Sequence, residues 1–430
     1  MRAETATRLR AGPGIAARRV FASLSGRNYR LWFAGQLVSL SGTWMQQMAQ
    51  DWLVLQLTDR ALPVGITTAL QFLPVALFGI WGGLAADKLD KRRILMATQA
   101  IQLVLALTLG LLTLFGVVEL WMVYVLAFLL GTATAFDMPA RQAFVIEMVG
   151  PDQVANAVAL NSAMFNTARV VGPAIAGVAI LAFGLAPAFL INAVSFLAVL
   201  AALAAMDPRL LHRSDVRPQA GSGIREGLRY VRASPVLRST LLMVAVLGTF
   251  GLNYRVVLPL LARFEFGGGP GLIGLMTSVM AGGSVIGALV AAGRSRPTRN
   301  LLVGSAAAFG VVSLLTAAAP DLGWALASLF FTGIATITFM ATANATLQLT
   351  SSSEMRGRVM ALHGITFLGS TPIGGLICGW LAEVAGPRAP LWVSGVVSVL
   401  AAGVGWLGLR RARAAAALDS AEPVAADQGV

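Results

Sequence analysis

Residues 82–95 read GGLAADKLDKRRIL, a cluster of charges between two long apolar segments. The flanking segments, residues 64–86 and 93–117, each suffice to cross the roughly 30 Å hydrocarbon core of a bilayer, which takes about 20 helical residues. They are also too long and too continuous for the strands of a membrane barrel. The stretch therefore predicts two membrane-spanning α-helices joined by a short charged loop.

The same alternation of apolar runs and polar breaks continues along the whole chain. Hydrophobic residues make up 57% of the 430 residues and charged residues 12%, with a mean hydropathy of +0.76, whereas soluble domains carry about 25% charge. We predict an all-α membrane protein with twelve transmembrane helices. The predicted spans are 29–57, 64–86, 93–117, 120–146, 155–183, 185–206, 236–262, 271–293, 299–319, 322–349, 356–384 and 388–409.

The positions of lysine and arginine predict how the chain is oriented. With twelve spans, 27 of the 32 basic residues fall on one side of the membrane, and the opposite loops hold only Arg60, Arg263 and Arg388. Basic loops stay in the cytoplasm, so both termini are predicted there, with the protein in the cytoplasmic (inner) membrane. The dispersal of these charges among loops argues against a nucleic-acid partner, despite the net charge of +13.

The two halves of the chain resemble each other at an offset of 202 residues. Residues 147–177 read EMVGPDQVANAVALNSAMFNTARVVGPAIAG and residues 349–379 read LTSSSEMRGRVMALHGITFLGSTPIGGLICG, which aligns Gly172 with Gly374. Parallel repeats of this kind are typical of transporters built from two helical bundles. The predicted domains are a cytoplasmic tail (1–28), a six-helix bundle (29–206), a cytoplasmic linker (207–235), a second six-helix bundle (236–411) and a cytoplasmic tail (412–430).

The charged loop resembles the signature of the major facilitator superfamily, in which an aspartate follows a glycine by four residues and precedes a basic cluster. Asp90 stands where the family pattern has a second glycine. Residues 23–58 (SLSGRNYRLWFAGQLVSLSGTWMQQMAQDWLVLQLT) and 135–149 (AFDMPARQAFVIEMV) resemble its transmembrane secretion effector branch, which includes enterobactin exporters and macrolide-type efflux proteins. The matching signature residues are Gly83, Asp87, Lys88, Lys91, Arg92 and Arg93.

This resemblance implies a major facilitator fold and a secondary active transporter. We expect a monomeric, proton-coupled exporter of a siderophore, macrolide or other drug that works by alternating access in the lipid bilayer. A gradient-independent facilitator or a lipid-moving protein is the alternative, because no feature of the sequence shows direction. Neither an enzyme nor a cofactor or metal site is expected, since the sequence has no Gly-x-Ser-x-Gly element, metal-ligand cluster or nucleotide-binding loop.

Polar side chains recur at intervals of three and four residues along the predicted first helix, so they share one face. A polar face on a membrane helix indicates a cavity or a contact with another helix. The resemblance assigns it to the substrate cavity, which the first helix of each triple lines in this superfamily, and hydrogen bonding between helices is the alternative. The stripe consists of Gln36, Ser39, Thr43, Gln46, Gln47 and Gln50.

Ionisable groups within membrane helices cost about 2.5–3.5 kcal/mol on insertion scales and therefore suggest function. Asp51 is the first candidate for proton coupling; the alternative is that it stays ionised at the outer headgroup level. Arg169 and Arg255 are the buried cations, and either can pair with that carboxylate or hold an anionic substrate group. A structural ion pair is the expectation for Arg169, the second coupling candidate, whereas Asn253, Tyr254 and Arg255 together suit substrate contact.

Four charged residues near the predicted cytoplasmic side resemble the charge relay of the superfamily. The resemblance implies a latch that ties the two halves together while the cytoplasmic side is closed. Its members are Asp87, Arg92, Asp137 and Arg141.

The sequence GPAIAG at residues 172–177 resembles the Gly-Pro motif of the superfamily's antiporters. Glycine lets helices approach closely and proline perturbs the backbone ladder, so simple helix packing is the alternative explanation. The motif residues are Gly172, Pro173 and Gly177.

Overall fold

The computed structural model describes residues 21–212, 223–293 and 297–421, with side chains described as far as residue 410. Parts of the predicted tails (1–28 and 412–430) and of the predicted linker (207–235) lie outside these residues. The helices of the first half of the chain are α1 (Arg27–Thr58), α2 (Leu62–Lys88), α3 (Lys91–Leu114), α4 (Leu120–Val149), α5 (Val154–Phe183) and α6 (Ala186–Ala205).

The second half begins with a short helix and continues with long ones. Helix α9 passes directly into a π-helical turn, Leu261–Glu265. The helices are α7 (Gly223–Ala233), α8 (Pro235–Phe250), α9 (Tyr254–Leu260), α10 (Pro270–Ala292), α11 (Arg299–Ala317), α12 (Leu322–Thr350), α13 (Arg356–Ala385) and α14 (Ala389–Ala421).

Within the described residues, eleven spans are long and apolar enough to cross a membrane, and the segment from α8 to the π-turn, Pro235–Glu265, is one of them. Helix α1 is not among the eleven although it has 32 residues. Its stripe of glutamines and hydroxyl side chains lowers the mean hydropathy of every window along it. The all-helical membrane architecture is thus confirmed, while the count of twelve spans in two bundles stays a prediction.

The helices form two compact units. These units are defined by which residues pack together, whereas the predicted bundles, 29–206 and 236–411, are defined by the sequence repeat. The predicted domain boundaries therefore stay a prediction. Unit 1 comprises the described residues of Met1–Ala49, Leu77–Val118 and Leu129–Pro218, and unit 2 those of Gln50–Ala76, Glu119–Phe128 and Gln219–Val430.

One end of unit 1 is held by a buried aromatic cluster at the start of α1. The Tyr29 hydroxyl donates to the carbonyl oxygen of Ala157 at 2.9 Å, and the Trp32 ring meets Phe144 edge-on with centroids 5.9 Å apart. Both α1 side chains are at most 1% exposed. Burying large aromatic side chains contributes strongly to packing, and this cluster fixes α1 against α4 and α5.

Close glycine contacts recur in equivalent places of the two units. In unit 1, a Cβ added to Gly172 on α5 would lie 2.6 Å from the Trp44 Cβ on α1. In unit 2, a Cβ on the aligned Gly374 of α13 would collide with the Thr249 carbonyl oxygen on α8. Small residues allow helix backbones to approach this closely, so the packing repeats the relation found in the sequence.

Candidate functional site

A buried ion pair in unit 2 joins α1 to α9. The Arg255 Nε donates to the Asp51 Oδ2 at 3.2 Å, and its Nη2 donates to the Gln71 Oε1 on α2 at 2.7 Å. The Asp51 side chain is 2% exposed and the Arg255 side chain 18%. Because an isolated buried charge is costly, each residue stabilises the charged form of the other. The guanidinium also lies over the Phe72 ring, 5.8 Å from its centroid.

The break between α8 and α9 positions Arg255 for this contact. Helix α8 ends at Phe250, and α9 begins at Tyr254. The Asn253 side-chain amide donates to the carbonyl oxygens of Gly248 and Thr249, at 3.3 and 2.8 Å, and so satisfies the end of α8. Asn253, predicted to contact substrate, is thus engaged with backbone.

Tyr254, the second predicted contact residue of this cluster, is 4% exposed. Its hydroxyl lies 3.0 Å from the Ser313 Oγ, and its ring meets Phe309 edge-on. Of the three predicted contact residues in this segment, Arg255 therefore has the most exposed side chain.

Two further ion pairs in unit 2 involve residues that follow Asp51 in the sequence. Asp59 accepts from the Arg263 Nη2 at 3.1 Å, and both side chains are largely exposed. The separation of Asp59 and Arg263 is 204 residues, the same as that of Asp51 and Arg255. This pair is the exposed counterpart of the buried one.

The other outer pair joins the α1–α2 turn to α13. The Glu383 carboxylate accepts from the Arg60 Nε at 2.6 Å and from the backbone N–H groups of Ala61 and Leu62 at 2.8 and 3.1 Å. It thereby caps the free N–H groups at the start of α2, where a negative charge is favourable. Nearby, Gly65 lies against Gly375 too closely for a side chain at residue 65.

Some polar side chains of the α1 stripe form hydrogen bonds with other helices, and others do not. Gln36 accepts from Arg141, and Gln46 accepts from the Asn192 Nδ2 on α6 at 2.7 Å. These two contacts favour interhelical hydrogen bonding at those positions. Thr43 donates to the carbonyl oxygen of Ser39 in its own helix. Ser39 is buried and Gln47 is half-buried. The side-chain Nε2 atoms of Gln36 and Gln50 are buried and have no hydrogen-bond partner among the described residues.

Asp137 on α4 is the centre of a buried hydrogen-bond network in unit 1. Its Oδ1 accepts from the Thr98 hydroxyl at 2.9 Å and the Gln99 Nε2 at 2.8 Å, both on α3. Its Oδ2 accepts from the Arg141 Nε at 2.9 Å, one turn along the same helix. The guanidinium also lies over the Trp32 ring. Asp137 and Arg141, the two predicted latch residues on α4, therefore find their partners within unit 1.

The other predicted latch residues have separate surroundings. Asp87 is exposed and forms no hydrogen bond or ion pair with another described residue. Arg92 donates to the carbonyl oxygens of Leu203 and Ala204 at the end of α6, at 2.8 and 3.1 Å. The structure therefore does not bring the four predicted latch residues into one cluster.

The departure from the family loop pattern has a structural explanation. The Asp90 side chain accepts from the Arg93 backbone N–H at 3.0 Å and caps the first turn of α3. Lys91 pairs with Glu147 of α4 at 2.8 Å. At Gly83 nothing lies within 4 Å of an added Cβ.

The Gly-Pro motif lies inside α5. Gly172, Pro173 and Gly177 are all buried there, and Gly172 makes the close contact with α1 described above. Their surroundings are those of a helix contact. Arg169, one turn earlier on α5, is half-buried and forms no hydrogen bond or ion pair with any described residue.

Sequence reasoning did not single out two residues that complete these contacts. Gln71 is a polar side chain within an apolar span, and Glu383 is an acidic residue near the end of one. A search for uncharged polar residues as well as ionisable ones finds Gln71, and a search that extends to the ends of the spans finds Glu383.

Comparison with known proteins settles the family. A sequence profile described as "Transmembrane secretion effector" matches residues 19–427. The chain belongs to this family of major facilitator superfamily transporters. The predicted resemblance is thereby confirmed, and with it the assignment to membrane transport.

Several curated proteins are similar to the chain. The staphyloferrin A transporter of Staphylococcus aureus is 27% identical over 61% of this chain and 66% of its own length. The multidrug efflux pump Tap of Mycolicibacterium fortuitum is 29% identical over 84% of this chain and 93% of its own. Macrolide efflux protein A of Streptococcus pyogenes is 24% identical over 86% and 93%.

Solved structures agree in fold. A bacterial homologue of the human lysosomal transporter Spinster, in an inward-facing and unoccupied conformation, superposes with a TM-score of 0.70 over 89% of this chain and 97% of its own, at 16% identity. A POT family transporter in complex with 5-aminolevulinic acid has a TM-score of 0.71 over 90% and 97%, at 11% identity. At such identities the likeness establishes the fold alone.

Proposed function

We propose that this transporter is a proton-coupled exporter of a small organic molecule. It works by alternating access, with twelve helices in two six-helix bundles that rock about a central cavity. The protein acts as a monomer in the cytoplasmic membrane with both termini in the cytoplasm. The buried Asp51–Arg255 ion pair is the observation that carries the proposal, because a carboxylate in such a place can exchange its ionic partner for a proton.

The coupling step follows from the chemistry of that pair. When Asp51 is ionised, it holds Arg255 and, through the same guanidinium, Gln71. When it binds a proton, the charge attraction disappears and the buried guanidinium loses its counter-ion, which is unfavourable. Proton binding therefore loosens the junction of α1, α2 and α9. In an antiport cycle, Asp51 therefore binds a proton from outside while the outer side is open and the pair is broken. It releases that proton toward the cytoplasm when the outer side closes and the pair with Arg255 forms again.

The outer pairs reinforce this junction without exchanging protons themselves. Within unit 2, both pairs start in the turn between α1 and α2. Asp59 pairs with Arg263 in the π-helical turn that follows α9, and Arg60 pairs with Glu383 of α13. The Asp59–Arg263 pair is exposed, and an exposed pair typically contributes about 0–1 kcal/mol, so this contact breaks readily once the buried pair is released. Asp51 is thus the control point of the junction.

The substrate class and direction of transport are proposed from the family. Relatives are named for a siderophore, for macrolides and for multidrug efflux. Export of a siderophore, a macrolide or another drug is the function most consistent with these relatives. A gradient-independent facilitator or a lipid-moving protein is the second candidate.

Purified protein in proteoliposomes separates the two candidates. Uptake of a macrolide and of staphyloferrin A is measured into vesicles with an acidic lumen, with and without a protonophore. Proton-coupled antiport predicts accumulation of at least one of these solutes that collapses when the protonophore is added. Movement of solute or fluorescent lipid at the same rate with and without the gradient would support the second candidate instead.

A further inference from the structure

The N-terminal half of α5 carries an unpaired cation on a mixed polar and apolar face. Arg169 recurs with Ser162, Phe165 and Val158 at helical intervals of three and four residues, so these side chains form one stripe. All are exposed or half-exposed. Arg169 forms no hydrogen bond or ion pair with any described residue.

The same stripe is buried further along the helix. Pro173, Ala176 and Ile180 continue it at the same intervals, and all three are buried. Exposure on this side of α5 therefore stops at Arg169 and returns only at Phe183, the last residue of the helix. The arginine lies at the end of an open face that is followed by buried residues.

Most of the exposed apolar residues in the second half of α5 lie away from this open face. Val171, Ile175 and Val178 are 39%, 51% and 70% exposed. With 3.6 residues per turn, they lie about half a turn away from Arg169. A charged side chain within the bilayer is expected to face protein or a water-filled space, and the position of Arg169 fits that expectation.

Neighbouring side chains add hydrogen-bonding capacity and an aromatic surface. The Asn166 Nδ2 donates to the Ser162 carbonyl at 2.8 Å, which leaves its side-chain oxygen and second N–H available. The Phe165 ring is 44% exposed and meets Trp44 edge-on. Because helical side chains lean toward the N-terminus, the Arg169 guanidinium extends over this turn.

We propose that Arg169, with Asn166 and Phe165, binds the anionic group of an organic solute during transport. The guanidinium pairs with a carboxylate, which would make good the missing counter-ion. The aromatic surface receives the apolar part of the solute, as in most small-molecule sites. This inference rests on the proposed export function, and under the predicted orientation the open half of α5 faces the cytoplasm, where an exporter loads.

The test places a reporter cysteine on the same stripe. Cys378 is the single cysteine of the chain and is buried, so Cys378→Ser provides a background for Ser162→Cys. The protein is labelled in neutral phosphatidylcholine nanodiscs with an anionic sulfonate and a cationic trimethylammonium methanethiosulfonate reagent. Attraction by one unit charge at roughly 10 Å predicts that the anionic reagent gains on the order of threefold over the cationic one.

Variants at Arg169 supply the matched controls. Arg169→Lys keeps the charge and should keep the preference, whereas Arg169→Gln should abolish it. Naphthoate should slow labelling of the Ser162→Cys protein, and its neutral counterpart naphthamide should do so much less. Gel filtration verifies that each variant is folded before its rates are compared.

Three results would overturn the assignment. The first is an equal reagent ratio in the Arg169 and Arg169→Gln proteins, and the second is equal protection by naphthoate and naphthamide. The third is loss of the difference between the Arg169 and Arg169→Gln proteins when phosphatidylglycerol is added to the nanodiscs, which would assign Arg169 to lipid phosphate. Labelling needs no proton gradient, so the reagent preference can still be measured if the protein proves not to be a proton-coupled exporter. Likewise, the transport assay remains valid if Arg169 proves not to bind an anion.

Discussion

The Asp51 carboxylate and the Arg255 guanidinium meet at 3.2 Å although the two residues are 204 positions apart in the chain. Asp59 and Arg263 meet at the same separation, each eight residues further along the chain. The first pair is buried, and the second has side-chain exposures of 67% and 43%. The exposed Asp59–Arg263 pair therefore provides matched control variants for the buried Asp51–Arg255 pair.

Removing one partner of the buried pair should destabilise the protein strongly. Arg255→Met leaves the Asp51 carboxylate without a counter-ion, which costs about 3–5 kcal/mol for a buried pair. Arg263→Met breaks the exposed pair and should cost about 0–1 kcal/mol. Thermal unfolding in detergent measures both.

A double variant tests whether the loss comes from the stranded charge. Asp51→Asn combined with Arg255→Met removes both charges and should recover much of the stability lost in Arg255→Met alone. Equal melting temperatures for the Arg255→Met and Arg263→Met proteins would contradict the assignment of Asp51–Arg255 as the control point of the junction.

The Asp137 network should be structural and Asp87 should not. Asp137→Ala strands the Arg141 guanidinium together with the Thr98 and Gln99 donors, so we expect a loss of about 3–5 kcal/mol. Asp87→Asn touches no described partner and should leave thermal stability unchanged. Melting curves of the two variants, recorded side by side, distinguish these outcomes.

Asp87→Asn also tests the gating role that the family signature implies. If Asp87 forms a latch in the cytoplasm-closed state, its replacement should shift the conformational balance and the transport rate while leaving stability alone. The balance is measured by the distance between spin labels on the two halves. An unchanged balance together with an unchanged rate would remove Asp87 from the mechanism.

Two glycines, one from each motif that resembles the family, should respond oppositely to alanine. Gly172→Ala places a Cβ 2.6 Å from the Trp44 Cβ, and overpacking of this kind costs about 1–3 kcal/mol. Gly83→Ala meets nothing within 4 Å and gains about 0.5–1 kcal/mol of helix propensity. Melting temperatures should fall in the first variant and hold or rise in the second. The reverse order would contradict the close packing of α5 on α1.

The positions of the helices could be predicted because hydropathy and helix length are local properties of the chain. Eleven predicted spans coincide with helices that meet both criteria. The polar stripe of α1 lowers the hydropathy of that helix below theirs. Asp90 shows the limit of motif reasoning, since it replaces a family glycine yet stabilises the loop by capping α3.

The partners of the charged residues could not be predicted, because pairing depends on which helices meet. The sequence offered both Arg169 and Arg255 as partners for Asp51, and packing brings Arg255 to it. It grouped Asp137 with Asp87, whereas the structure joins Asp137 to the uncharged Thr98 and Gln99. Neutral partners are invisible to a search that considers ionisable residues alone.

In the proposed transport cycle, Asp51 exchanges its ion pair with Arg255 for a proton. The most direct test records proton movement with a pH-sensitive dye inside proteoliposomes after a macrolide or staphyloferrin A is added outside. The wild-type protein and Asp59→Asn should both move protons out of the lumen in exchange for solute. Asp51→Asn should move solute without protons or not at all. Solute-driven proton movement that persists in Asp51→Asn at the wild-type rate would contradict the account.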